Sequence, residues 1–120
     1  MFKRAFRLTD NKDFQTVYRR GRYNATALFS VNTLANHTAT TKIGIVVNKK
    51  VSKKAVERNT IKRQVREVIR LQLDNIKKGQ SIVVTVRKPA LGASYATIEK
   101  DILVSLKKLG LIGEDTSKSN

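Results

Sequence analysis

The sequence predicts an α+β fold, a two-layer sandwich in which three helices accompany one small central sheet. Three observations predict it. Apolar residues recur at helical spacing in three segments. Between those segments they alternate or run together in short strand-like stretches. The resulting order is helix, two or three strands, helix, strand, helix. No internal repeat or low-complexity block divides the 120 residues. One domain spanning residues 1–120 is therefore expected, with a polar tail from about 114 to 120.

Thr9-Asp10 reads as a helix start, a capping hydroxyl followed by an acid in the first turn. Phe14, Val17 and Tyr18 follow at helical spacing, and Arg19-Arg20-Gly21 closes the segment, so the first helix spans about 9–20. Ala25 to Leu34 is rich in Thr, Val, Phe and Leu, with partial alternation at Leu28/Phe29, Val31 and Leu34, and reads as a strand. Residues 36–41 (NHTATT) read as a hairpin loop into a second strand, Lys42 to Lys49, where Ile43, Ile45 and Val47 alternate. Gly44 inside that strand leaves room for a close neighbour or a bulge.

Ser52 is expected to cap a long helix that runs to about Ile76 and stops at Lys77-Lys78-Gly79. Ser81 to Arg87 is a nearly continuous apolar run, which fits a strand buried on both faces. Lys88-Pro89 breaks it. Ser94 then caps a last helix with Ile98, Ile102, Leu103, Leu106 and Leu109 along one side.

Charge narrows the function. Twenty-five Lys and Arg stand against nine Asp and Glu, a net +16. A compact body with that charge repels itself, and a polyanion relieves the repulsion while releasing its own counterions. Nucleic acid is the expected partner, ahead of an anionic membrane surface. There is no cysteine, hence no disulfide framework and no thiolate metal site, which fits a reducing cytoplasm. No apolar run approaches the roughly 18 residues of a membrane span. Met1 to Leu8 is basic and lacks the apolar stretch of a signal peptide.

The long helix carries the functional argument. On a wheel of about 100° per residue, Ile61, Val65, Val68, Ile69 and Ile76 cluster on one face. Asn59, Lys62, Arg63, Arg66 and Arg70 occupy the flank beside it, near Arg58, while Glu57, Gln64 and Glu67 fall on the remaining side. Lys62 and Arg66, then Arg66 and Arg70, place like charges at i,i+4, which costs a few tenths of a kcal/mol per pair in the free protein. A phosphate backbone reverses that cost. Lys49, Lys50, Lys53 and Lys54 extend the patch, so that residues 49–70 carry nine cations and two acids. Asn59 serves either a base or sugar contact or a local bond to the helix start. Phe14 and Tyr18, one turn apart, serve either core packing or a stacking platform for single-stranded bases.

The run Lys49 to Arg70, KKVSKKAVERNTIKRQVREVIR, resembles the signature of the ribonuclease P protein family. There a strand-end Lys-Lys leads into a helix with an Arg-Asn-Arg motif, then Ile-Lys-Arg and Arg-Glu. Asp13-Phe14-Gln15-Thr16-Val17-Tyr18 with Arg20-Gly21 is similar to the family's first helix, Ile43 to Val47 to its central strand, and Val83 to Pro89 to the strand after the long helix. The match covers Leu8 to about Leu109. One position departs: Thr60 stands where the family usually has arginine, on the wheel away from the cationic flank.

The resemblance implies a βαβ crossover of left-handed sense around the long helix, against the usual preference. It implies a ribonucleoprotein subunit that supports removal of the 5′ leader from precursor tRNA, with the metal-dependent chemistry in the RNA. By position match, Phe14 and Tyr18 line a groove for the single-stranded leader, and Lys49, Lys50, Arg58, Asn59, Lys62, Arg63, Arg66 and Arg70 contact RNA. The expected partners are ribonuclease P RNA, 1:1, and precursor tRNA, in the cytoplasm and without a membrane. The protein alone is expected to hold no cofactor or metal and to supply no catalytic residue; Mg2+ is expected with the RNA.

The residues themselves argue against an autonomous nuclease. Two-metal hydrolysis needs several converging carboxylates, whereas the nine acids here are scattered or paired with bases, and His37 sits alone in a polar loop. A structural RNA-binding protein of the ribosomal type explains size and charge equally well, but not the ordered set of matched segments. A DNA-binding protein ranks third, because its recognition helix is short and follows another helix.

Overall fold

The computed structural model describes residues 7–8 and 11–113. Thr9-Asp10, the expected start of the first helix, and the polar tail from 114 lie outside the described residues. The elements are α1 (Asn11–Arg20), β1 (Arg22–Ala25), β2 (Phe29–Ala35), β3 (Lys42–Val46), α2 (Ala55–Gln72), β4 (Gln80–Val86) and α3 (Tyr95–Lys108). The four strands form one sheet in the order β1-β2-β4-β3. β1 and β2 pair antiparallel, β2 and β4 antiparallel, β3 and β4 parallel. Parallel neighbours cannot be joined by a tight turn, and the connection between β3 and β4 is α2, the expected βαβ unit.

The main core lies between the sheet and the pair α2/α3. Phe29 and Val31 of β2, Ile43 of β3, and Ile82, Val84 and Val86 of β4 meet Ile61, Val65, Val68 and Ile69 of α2 and Ile98, Ile102 and Leu106 of α3. Each such buried aliphatic side chain is worth up to roughly 1.5–3 kcal/mol. The opposite sheet face carries α1. Val17 and Phe14 pack there with Leu8, Leu34, Val46 and Val83. β4 therefore has helices over both faces and a strand on either side, which is why its sequence is an almost unbroken apolar run.

Several expectations are corrected. The strand expected over Ala25–Leu34 starts only at Phe29, as β2, while Ala25 is the last residue of a separate strand, β1. They are separated by a turn in which Thr26 N–H donates to Phe29 O at 2.8 Å and Phe29 N–H to Thr26 Oγ1 at 3.1 Å. Leu34 is on the α1 face, opposite Val31. Residues 36–41 are not a hairpin loop, because β4 lies between β2 and β3. The apolar run of β4 is buried best at the sheet centre, and placing it there separates the two strands that precede it. The long helix begins at Ala55, with Lys54 at its N-cap position and no side-chain cap. Ser52 instead stabilises the entering loop, accepting from Lys54 N–H at 3.1 Å and donating to Glu57. At the far end α2 tightens into a 3-10 turn, Leu73–Asn75, before Ile76. Ser94 caps α3 as expected, accepting from Thr97 N–H at 3.1 Å.

Two glycines are fixed by their surroundings. Gly79 has φ 77°, the left-handed conformation that ends the connection from α2 into β4. Gly44 has ordinary strand backbone but no space: a Cβ there would lie 2.5 Å from Cε1 and Cζ of Phe14. The close neighbour expected at this position is thus the Phe14 ring, and it seats α1 on the sheet.

Candidate nucleic-acid interface

The loop after β3 displays its lysines because it is pinned from below. Val51 is buried in the main core and its N–H donates to Asn48 O at 2.9 Å. Lys49, Lys50, Lys53 and Lys54 around it are all exposed. Arg58, half-buried, donates from NH1 to Ser52 O at 3.0 Å and so ties this loop to the first turn of α2. Asn59 is exposed and makes no hydrogen bond through its side chain to any described residue, so the local helix-start bond is not formed.

Farther along α2, Lys62 and Arg66 are half-buried and Arg63 is exposed. A half-buried Lys or Arg can lay its alkyl stem along apolar surface and keep its charged head in water. Among the described residues the one ion pair is Arg70 with Glu67, Nε donating at 3.0 Å and NH2 at 2.7 Å. That two-point bond holds the Glu67 carboxyl below its usual range and pushes the Arg70 guanidinium further up. Lys62, Arg63 and Arg66 have no carboxylate partner among the described residues. The flank read from the sequence therefore contains a run of uncompensated cations, with Arg70 at its end committed to the protein's own acid. On the neighbouring α3, desolvation raises the Tyr95 phenol, helped by Glu99.

The second region is on the α1 face of the sheet. Phe14 is half-buried over Gly44, whereas Tyr18 is 45% exposed. The Tyr18 hydroxyl shares a hydrogen bond with Thr85 Oγ1 of β4 at 3.2 Å, which fixes the ring across the strand. Two concavities flank α1. One, of about 160 Å³, is lined by Arg7, Leu8, Phe14, Ile43, Gly44, Ile45 and Arg66. It joins Phe14 to the cationic flank of α2, although the two helices occupy opposite faces. β3 is the edge strand, so one strand's width separates them, and residues on both sides reach around its rim. Leu8 N–H donates to Ile43 O at 2.9 Å and covers part of that edge. The other, of about 440 Å³, is lined by Tyr18, Tyr23, Ser30, Asn32 and Thr85.

Tyr23, Ser30, Asn32 and Thr85 were not foreseen as site residues. The signal was present: polar Ser30 and Asn32 alternate with buried Phe29, Val31 and Thr33, which marks a second, open face of the strand. Thr60 lies where the wheel placed it, away from the cations. Its hydroxyl donates to Val56 O at 2.9 Å, and it borders a separate concavity with Gln64 and Leu91. Among the described residues no group of three or more His, Asp or Glu comes together, and no helix is long and apolar enough to cross a membrane.

Comparison with known proteins gives one answer. The family model described as Ribonuclease P matches residues 2–110. The ribonuclease P protein component of Pseudanabaena sp. is 44% identical over 103 residues, covering 85% of this chain and 89% of that protein. That of Alkaliphilus oremlandii is 37% identical over 106 residues, covering 88% and 92%. Among solved structures, the ribonuclease P protein of Staphylococcus aureus superposes with a TM-score of 0.84 at 32% identity, covering 92% of this chain and 100% of that one. The Thermotoga maritima protein superposes with a TM-score of 0.77 at 33% identity, covering 85% and 96%.

Proposed function

The chain belongs to the ribonuclease P protein family, the protein subunit of the endoribonuclease that matures tRNA 5′ ends with an RNA partner, and on that premise we propose how its surface is shared between two RNAs. The exposed loop lysines Lys49, Lys50, Lys53 and Lys54 and the α2 flank, Arg58, Asn59, Lys62, Arg63 and Arg66, hold phosphates of the ribonuclease P RNA in a 1:1 complex. The groove between α1 and the sheet, with Phe14 and Tyr18, takes the single-stranded 5′ leader of precursor tRNA. The observation that carries this reading is the run of unpaired cations on one flank of a rigid helix. Self-repulsion makes that arrangement unfavourable in the free protein, and bound phosphate makes it favourable. Arginine adds planar two-point donation to phosphate.

The chain's own residues bind and orient; they do not cleave. Mg2+ is commonly held by one or two carboxylates together with phosphate oxygens, and an RNA chain carries phosphate oxygens along its whole length. We therefore place Mg2+ with the RNA subunit, which supplies the hydrolytic chemistry. The setting is cytoplasmic, where precursor tRNA and the RNA subunit meet.

Reconstitution tests the reading. The protein alone should cleave no precursor tRNA, and added to ribonuclease P RNA at limiting magnesium it should restore cleavage. Failure to stimulate that RNA at any salt concentration would remove the assignment. The groove has its own test. Tyr18→Ala should weaken binding of a long-leader substrate by about 1–3 kcal/mol, the worth of one stacked base, and leave a leaderless substrate unaffected. Equal losses on both substrates would make the ring structural.

A further inference from the structure

The most exposed large hydrophobic side chain among the described residues is Val56, 76% exposed on the first turn of α2. It does not stand alone. Val56, Thr60 and Gln64 follow one another at i,i+4 and form one row on the helix. With Leu91 and Gly92, from the turn after β4, that row lines a concavity of about 200 Å³. The one charged group in the lining is Glu57, whose carboxylate already accepts from Ser52. The Thr60 hydroxyl is committed to Val56 O at 2.9 Å. Gln64 is half-buried, and its amide makes no hydrogen bond with any described residue. Gly92 has φ 81°, and a Cβ there would meet nothing within 4 Å, so the backbone is open to a close approach. Cations border the concavity. Lys53 and Lys54 precede Val56 in the exposed loop, and Arg63 follows Thr60 at i+3 on the same side of α2.

Size and charge select the occupant. The volume is below the roughly 300–1,000 Å³ of pockets that enclose a whole drug-sized ligand, and it suits a single ring system. A phosphate finds no cation in the lining and a carboxylate instead. A second copy of this chain, or another basic protein, brings like charge against a body of net charge +16. An RNA whose phosphates lie on Lys53, Lys54 and Arg63 arrives with its charge matched and carries bases between those phosphates. We propose that the concavity receives one unstacked adenine of the ribonuclease P RNA. The flat face of the base covers Val56 and Leu91, and its ring approaches the Gly92 backbone. The Gln64 amide donates to N7 and accepts from the N6 amino group, the two-point fit that selects adenine over the other bases. The proposal rests on the RNA-binding reading of α2 above. It adds a base-reading site to a helix whose cations hold phosphates without regard to sequence.

The test is binding of the full chain to ribonuclease P RNA across a salt series, for wild type, Val56→Gln and Gly92→Asn. Glutamine suits an exposed helix position better than valine, and asparagine tolerates the left-handed backbone while filling the open space. Each variant should bind roughly tenfold more weakly, through the loss of an apolar contact or of access to the site. The slope of log affinity against log salt should stay at the wild-type value, because no phosphate contact is lost. Interference mapping with 7-deaza-adenosine, which lacks N7, identifies the base. Replacing one adenine of the RNA in this way should weaken binding to wild type and make no difference to Gln64→Met. Thermal unfolding near the wild-type midpoint confirms the fold of each variant; should Gly92→Asn unfold, Val56→Gln and Gln64→Met decide. Wild-type affinity in folded Val56→Gln, or no adenine whose N7 matters only when Gln64 is present, overturns the pocket. So does self-association that Val56→Gln abolishes while RNA binding is unchanged, which would make this face an interface between copies. In those cases an Arg66→Ala slope lowered by about one leaves the cationic flank standing, whereas an unchanged slope removes α2 as the RNA face.

Discussion

Replacing Lys62, Arg63 and Arg66 together with glutamine should cost the complex with ribonuclease P RNA at least two orders of magnitude in affinity near 0.1 M salt, roughly. Each phosphate neutralised adds about 0.9 to the slope of log affinity against log salt, so three contacts account for a slope of about 2.7. Stability should move the other way. Glutamine is as good a helix former as lysine or arginine, and the like-charged pair Lys62/Arg66 disappears, relieving a few tenths of a kcal/mol. The three side chains have no carboxylate partner among the described residues whose loss would offset this. Titrations across a salt series, paired with thermal unfolding, measure both quantities. Weaker RNA binding in a protein that is no less stable is the expected outcome. Lower stability with unchanged RNA affinity would mean that these side chains serve the fold.

Gly44→Val should disturb the molecule from the other face. A Cβ at residue 44 falls 2.5 Å from two atoms of the Phe14 ring, so the ring must leave its seat and α1 must shift with it. Overpacking of this kind costs about 1–3 kcal/mol, and leader-dependent stimulation should fall with it, because Tyr18 lies on the same helix. The decisive comparison is the double-mutant cycle. With Phe14→Ala already in place the collision is gone, valine suits a strand better than glycine, and the second substitution should then cost far less than it does alone. Urea unfolding of the four proteins gives the coupling energy. Additive effects would mean that Phe14 is not seated on Gly44.

The parts of this structure written in local pattern are legible in the sequence. α2 is long and amphipathic, and both its buried stripe and its cationic flank follow from a 3.6-residue period. The Ser94 cap also follows from residue chemistry, whereas Gly44 leaves two readings, a close neighbour or a bulge, and the Phe14 ring decides for the first. What local pattern does not specify is which strand lies beside which. The loop 36–41 looked like a hairpin because its flanking strands are consecutive. Yet the apolar run of β4 already required a neighbour on each side, and that excluded the pairing. β1 was invisible because Arg22-Tyr23-Asn24-Ala25 carries no apolar alternation. It is held by pairing with β2 and by contacts to α3, Arg22 NH2 donating to Leu109 O at 2.8 Å and Asn24 to Ser105 Oγ at 3.1 Å.

Missing β1 also concealed Tyr23 and with it one side of the concavity it lines with Tyr18. The wheel grouped Arg70 with the other cations because angle alone does not register a partner. Glu67, three residues earlier, is close enough in a helix to claim it. A helix wheel drawn for α2 does not relate Phe14 to its cations, since helix faces carry no information about an edge strand. The structure brings Phe14 and Arg66 to one concavity around the rim of β3.

That difference between neighbours on one helix supplies the sharpest test. Arg66 and Arg70 lie one turn apart, and their replacement by alanine removes the same formal charge. The measurement is the salt dependence of binding to ribonuclease P RNA for Arg66→Ala and Arg70→Ala side by side. The free guanidinium should carry a phosphate contact, so Arg66→Ala should lower the slope by about one, while Arg70→Ala, already neutralised by Glu67, should leave it near wild type. Equal slopes for the two variants, or an Arg66→Ala slope indistinguishable from wild type, would contradict the claim that the unpaired flank of α2 binds the RNA.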